Sequence, residues 1–303
     1  MRRVSQQRPR GKISPEASMA QERNVRRIGI IGFGHLGQYL AGMIEEEGHQ
    51  HGFELAFVWN RHQKKMDGNV RKELQLEDLN KFVARCADLI VEVAHPQIIK
   101  DYGEEFLKHA DCMVGSPTAF ADQEVDTRCR EAARRYGHTL YIPSGALWGA
   151  LDIQKMANRG TLKALKVTMS KHPDSFMLQG HMHELKERTK GQRTVLYDGP
   201  VRNLCPLAPN NVNTMAAAAL AGHNLGFERV QGCLVADPSL LNFHIVDIEV
   251  TGPVNKSAGH EFTVKTSRRN PAPPGEVTGM ATYTSFWSSV LNCKGHGGRL
   301  FLC

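Results

Sequence analysis

Gly32-Phe33-Gly34-His35-Leu36-Gly37 decides the reading of this chain. It follows a short apolar run, Ile28-Gly29-Ile30-Ile31, and opens a segment with apolar residues at Leu36, Leu40, Met43 and Ile44. That order is strand, glycine turn, helix. The first glycine permits the tight turn, the second lets the backbone approach a diphosphate, and the third lets helix and strand pack closely. The diphosphate then meets unpaired N–H groups at the positive end of the helix, among them those of His35 and Leu36. The stretch predicts a site for a dinucleotide.

Strand and helix alternate outward from this turn. Glu54–Trp59, Asp88–Val93, Cys112–Gly115 and His138–Ile142 read as strands. Glu77–Arg85, Pro96–His109 and Ala121–Tyr136 read as helices. The strands are continuous apolar runs, as expected when helices cover both faces of a parallel sheet. Residues 25–145 are therefore expected to form a doubly wound, Rossmann-type α/β domain. Beyond it the pattern changes. After a helix over Leu147–Arg159 come strands rich in Val, Thr and Leu (Leu162–Ser170, Thr194–Tyr197, Val230–Ala236, Phe243–Val250, Phe262–Thr266) and one clear helix, Asn211–Gly222. This predicts a second α+β domain, residues 146–270, on a mostly antiparallel sheet. A last helix within 275–293 follows a proline-rich turn and is expected to pack back on the first domain.

Composition narrows the function. The net charge of +7 is concentrated in residues 1–27, which hold eight basic and two acidic residues and so six of the seven charges. The basic character belongs to a polar tail, residues 1–24, expected to be disordered, and not to a nucleic-acid-binding face. The tail's arginines also fit a mitochondrial transit peptide loosely, but Glu16 and Glu22 count against it, and a cytoplasmic protein is expected. No apolar run approaches the roughly 20 residues needed to span a membrane. Seven cysteines without a C-x-x-C pair read as reduced, mostly buried thiols, and no metal site is legible.

Where a selective NAD site places an acid after the second strand, this chain has Asn60 followed by Arg61, with Lys64 and Lys65 close behind. The carboxylate that would repel a 2′-phosphate is missing, and Arg61 can attract one, so NADP is expected to be accepted at least as well as NAD. The alternative is that Arg61 stacks on the adenine or faces water.

Three further segments carry a resemblance: Pro143-Ser-Gly-Ala-Leu-Trp-Gly-Ala-Leu-Asp152, Pro209-Asn-Asn-Val-Asn-Thr-Met-Ala-Ala-Ala-Ala219 and Ala236-Asp-Pro-Ser-Leu-Leu-Asn-Phe-His244. With Gly115-Ser-Pro117, their order and spacing closely resemble the L-aspartate dehydrogenases, from about Arg27 to near the C-terminus. The resemblance implies oxidation of L-aspartate with NAD or NADP, giving iminoaspartate and then oxaloacetate and ammonia. It also implies contacts from Ala146 and Asn213 to the nicotinamide end of the cofactor, His244 as the active-site acid/base, and a homodimer through the second-domain sheet. Histidine suits the proton handling because its ordinary pKa lies near neutrality.

Two substrate carboxylates need cationic or N–H partners. Lys171, His172, Arg268 and Arg269 lie at strand ends, where each reads first as a solvated surface charge, and Ser116 can bond substrate or serve its turn. Trp148, where bacterial members have glycine, reads as a core aromatic. Two other readings stay open. One is a reductase or dehydrogenase for a related amino or oxo acid, since the second domain resembles those of homoserine dehydrogenase and dihydrodipicolinate reductase. The other is a nucleotide-binding regulator without turnover.

Overall fold

The computed structural model describes residues 25–188, 191–255 and 257–303, so the expected basic tail lies outside the described residues. The first lobe begins with β1 (Arg26–Ile31), α1 (His35–Glu47), β2 (Phe53–Trp59), β3 (Gln75–Leu76), β4 (Leu89–Glu92), α2 (Pro96–His109), β5 (Asp111–Val114), α3 (Gln123–Tyr136) and β6 (Leu140–Ile142). The second comprises α4 (Ala150–Asn158), β7 (Ala164–Lys171), α5 (His181–Arg188), β8 (Thr194–Pro200), α6 (Val201–Leu204), α7 (Asn213–Ala221), α8 (Gly226–Arg229), β9 (Gln231–Ala236), β10 (Phe243–Val254) and β11 (Glu261–Pro271). The chain then returns to the first lobe as α9 (Met280–Asn292) and β12 (Leu300–Leu302).

The first sheet runs β12-β6-β5-β4-β1-β2-β3, and every pairing in it is parallel. β1 lies between β2 and β4, so the strand order reverses there. A crevice opens beyond the carboxyl ends of strands at such a reversal, which is where ligands of open α/β sheets bind. The loops after β1 and β4 form its floor.

The segment read as a helix after Glu77 is a 3₁₀ helix, Leu79–Arg85. Its buried residues are Leu79 and Phe82, three apart, which matches three residues per turn. The side chain of Asp78 caps it by accepting from Asn80 N.

In the second sheet, β11-β10-β7-β9-β8, only β7 and β9 run parallel. β10 alternates buried and half-buried positions along most of its length, the signature of a sheet with one covered face. That face is covered in part by α7, whose Ala216 to Ala219 are all buried. The small side chains let the helix sit close to both its neighbours, α4 and the turn at Pro117–Ala121 of the first lobe. Thr118 Oγ1 donates to Pro209 O at 3.0 Å and fastens the approach to α7 against the first lobe. The larger apolar core is continuous through this helix, from Ile90 and Phe106 to Leu165 and Ile248.

α9 packs Phe286, Trp287 and Val290 into the core formed by Ile28, Ile30, Leu40 and Ile44. β12 was not expected from the sequence, because three residues are too few to carry a period. It pairs Leu300 with Leu140 and Leu302 with Ile142. Trp148, expected in the core, is instead 66% exposed. It lies in the turn between the lobes, before α4 begins to bury side chains. Among the described residues, no helix is long and apolar enough to cross a membrane.

Candidate active site

The three glycines of the turn divide their work as their environments dictate. Gly32 has φ +106, and a Cβ there would lie 2.7 Å from Val93 O. A Cβ on Gly37 would lie 2.0 Å from Gly32 O, so this glycine alone permits α1 to start against the turn. Among the described residues nothing lies within 4 Å of the corresponding position at Gly34, which therefore faces open space. Gly34 is the N-cap of α1, with no side-chain cap and no acidic residue in the first turn. The first N–H groups of α1 are thus left without a capping side chain, on an open face, as a diphosphate requires.

Asn60 supports this loop from below. Its Oδ1 accepts from Phe33 N at 3.1 Å, and its Nδ2 donates to His62 O at 2.9 Å. Arg61 is exposed, and its charge reaches His95, whose imidazole is held below its ordinary pKa by burial and then by that arginine.

A cleft of about 460 Å³ opens between the lobes. Gly34, His35, Leu36, Ala146, Asn213 and His244 all line it. Gly32 and Gly37 lie buried beneath, whereas Asn60 and Arg61 stand outside the lining. The turn carrying Ala146 is held from three sides. Gly145 O accepts from Arg268 Nη1 at 3.0 Å and from Ser285 Oγ at 3.2 Å, and Ser144 N donates to Cys303 O at 2.7 Å. Asn213 is the first residue of α7, and its buried Oδ1 has no hydrogen-bond partner among the described residues.

His244 is 4% exposed, and its Nε2 is likewise buried without a partner among the described residues. Its pKa is pushed down to about 4, first by burial and then by the charge of Lys171, with a hydrogen bond to the Glu276 backbone acting the other way. So placed, the imidazole is neutral near pH 7, and it is a weaker base than the near-neutral one expected from the sequence.

Of the four cationic candidates, only Lys171 lines the cleft. It is 3% exposed, which corrects its reading as a solvated charge. Burial pushes its ammonium down to about 8. His172 accepts from Asp174 N through Nδ1, Arg268 is committed to Gly145 and Asn270, and Arg269 is exposed beside the Phe243 ring. Ser116 lines the cleft, but its hydroxyl donates to Glu92 at 3.0 Å.

Glu92 was missed as a residue with a role. Fully buried at the end of β4, it accepts from Ala94 N (2.7 Å), His95 N (2.9 Å) and Ser116 N (3.1 Å) as well as the Ser116 hydroxyl (3.0 Å). It thereby ties together the loops after β4 and β5, which line the cleft. Burial nevertheless pushes its carboxyl up to about 7, against the opposing effect of these donors. The legible signal was an acid inside the apolar run Leu89-Ile-Val-Glu-Val93.

Residues 152–289 match the family model described as aspartate dehydrogenase, C-terminal, and residues 32–143 match that of the homoserine dehydrogenase NAD-binding domain. The aspartate dehydrogenase domain-containing protein of Xenopus tropicalis is 59% identical over 94% of this chain and 100% of its own. The L-aspartate dehydrogenase of Methanococcoides burtonii is 32% identical over 74% of this chain and 83% of its own. The crystal structure of aspartate dehydrogenase from Thermotoga maritima superposes with a TM-score of 0.65 at 22% identity, over 89% of this chain and 97% of that one. That likeness shows the shared two-lobe fold.

Proposed function

From the premise that the chain belongs to the L-aspartate dehydrogenase family, we propose that it oxidises L-aspartate, with NADP accepted at least as well as NAD and His244 handling the protons. The family and the nucleotide-binding lobe make the chain an NAD(P)-dependent dehydrogenase type. The observation that carries the finer reading is the convergence of the open glycine turn, Ala146, Asn213 and His244 on one cleft.

The residues present fit a dinucleotide. The open face at Gly34 and the uncapped start of α1 suit the diphosphate. The unpartnered Oδ1 of Asn213 and the fastened turn at Ala146 suit the nicotinamide end. When bound, the cofactor supplies the hydride acceptor. Hydride leaves the substrate Cα with its bonding pair, the amine lone pair closes a C=N bond, and the amine's proton must be taken up. The unpartnered Nε2 of His244 is an acceptor for that proton. Water then adds to the C=N carbon, and His244 can return its proton to the departing ammonia.

The low proton affinity of His244 owes part of its size to the charge of Lys171. Substrate carboxylates bring negative charge against Lys171, remove one of the two causes of the depression, and raise the imidazole toward the working range. For the cofactor's other end, exposed Arg61 and the absence of an acid at residue 60 support acceptance of a 2′-phosphate.

The test is an assay of purified protein with NAD⁺ or NADP⁺ and L-aspartate, L-homoserine or malate, following the reduced cofactor at alkaline pH. Turnover with aspartate alone is expected. Turnover with another member of the panel instead would replace the substrate, and tight dinucleotide binding without turnover would replace the activity.

A further inference from the structure

We infer that Lys171 is the anchor for a carboxylate of the substrate, the specificity-determining cation of the cleft. Ile245 on β10 stands opposite Ser170 on β7, so one step further His244 and Lys171 face each other where the strands end. On the other side His244 pairs with Asn270 of β11. Lys171, His244 and Asn270 thus form a row across three adjacent strands, all buried and all lining the cleft.

Lys171 has little in the protein to satisfy it. Its Nζ donates to Val277 O at 2.9 Å and lies over the Phe176 ring at 5.9 Å. Among the described residues, no carboxylate lies within ion-pair distance of it. A buried ammonium without a counter-anion is costly, and an anion brought beside it offsets that cost. Val277, whose carbonyl takes the ammonium's hydrogen bond, itself lines the cleft, so the Nζ is held at its wall. The charge is also close enough to His244 to act on its protonation. An anion paired with Lys171 therefore lies next to the residue proposed to serve the amine. A neighbouring carboxylate and amine are the two ends of an acidic amino acid.

This inference rests on the proposed reading of the cleft, but it can be tested apart from turnover. Succinate, a dicarboxylate with no amine to oxidise, is the probe. Its affinity is measured by calorimetry with NADP⁺ present, for wild type, Lys171→Met and Lys171→Arg. Loss of a charge-assisted hydrogen bond should weaken succinate binding in Lys171→Met by about ten- to a hundredfold. NADP⁺ affinity should stay unchanged, and Lys171→Arg should recover a substantial part of the loss. In turnover the methionine variant should raise KM far more than it lowers kcat. Unchanged succinate affinity in a folded Lys171→Met protein would overturn the inference. If that variant does not fold, a wild-type crystal with succinate and NADP⁺ decides. A carboxylate oxygen within hydrogen-bonding distance of Lys171 Nζ supports the anchor, and a succinate bound elsewhere refutes it. Wild type that binds succinate through Lys171 yet does not oxidise aspartate would end the aspartate reading and leave the anchor standing. Turnover of aspartate by Lys171→Met with wild-type KM would do the reverse.

Discussion

Glu92→Gln turns the buried carboxylate beneath the cleft into a measurable quantity. In the folded chain its proton affinity is raised from the ordinary 4.5 to about 7. One pH unit corresponds to about 1.4 kcal/mol, so the difference amounts to roughly 3 kcal/mol. The sign follows from which state holds the proton. Below 4.5 the carboxyl is protonated whether or not the chain is folded. Between 4.5 and about 7 the unfolded chain releases its proton while the folded chain keeps it, so stability falls as pH rises. Above about 7 both states are ionised and the loss is complete. Glutamine does not titrate. The stability of wild type minus that of Glu92→Gln should therefore fall by roughly 3 kcal/mol across this interval. His244 titrates in the opposite sense over part of the range, but it is present in both proteins and drops out of the difference. Urea unfolding followed by tryptophan fluorescence is suitable, since Trp59 and Trp287 both lie in the first lobe. A difference that stays flat with pH would mean that the four donors hold the carboxylate ionised throughout and outweigh its burial.

Other perturbations follow from the same geometry. His244→Ala should lower kcat by about a hundredfold or more while leaving dinucleotide affinity near wild type, because acid–base assistance is worth roughly that much; steady-state kinetics and a binding titration check it. Arg61→Ala should raise KM for NADP⁺ by about tenfold with little change for NAD⁺, the loss expected for one charge-assisted contact to phosphate, and an unchanged preference would leave Arg61 facing water. Gly37→Ala should abolish dinucleotide binding and lower the melting temperature, since its Cβ would sit 2.0 Å from Gly32 O, a backbone atom that cannot move aside without opening the turn; a normally folded variant with normal binding would contradict the packing role.

The sequence exposed what its periodicities could carry. Pro96–His109 is a helix from end to end because proline opens it and its apolar period is unbroken. The glycine turn was legible because each of its glycines answers to a different steric demand. Lys171 was not, because a lysine at a strand end reads as solvated until the neighbouring strand and the Val277 segment are seen to close over it. Glu92 sat in plain view as an acid within an apolar strand, but its meaning depends on donors more than twenty residues away at Ser116 and on the depth of its burial. Trp148 was misplaced for the opposite reason, since its size suggested a core that the inter-lobe turn does not provide. Asn60 took a role no spacing rule implies, bracing the glycine turn through Phe33.

The edge strand Leu300–Leu302 lies beside β6, and the carbonyl of Cys303 receives the N–H of Ser144, next to the turn that presents Ala146. The nucleotide lobe is thus stitched from both ends of the described residues, with the other lobe looped out between them. During synthesis its sheet must wait, one border unfilled, while more than half of the chain is still being made. A ribosome-bound product halted before residue 300 should therefore expose a naked strand margin, and a bulky group placed at Cys303 would press on the turn that carries Ala146 into the cleft.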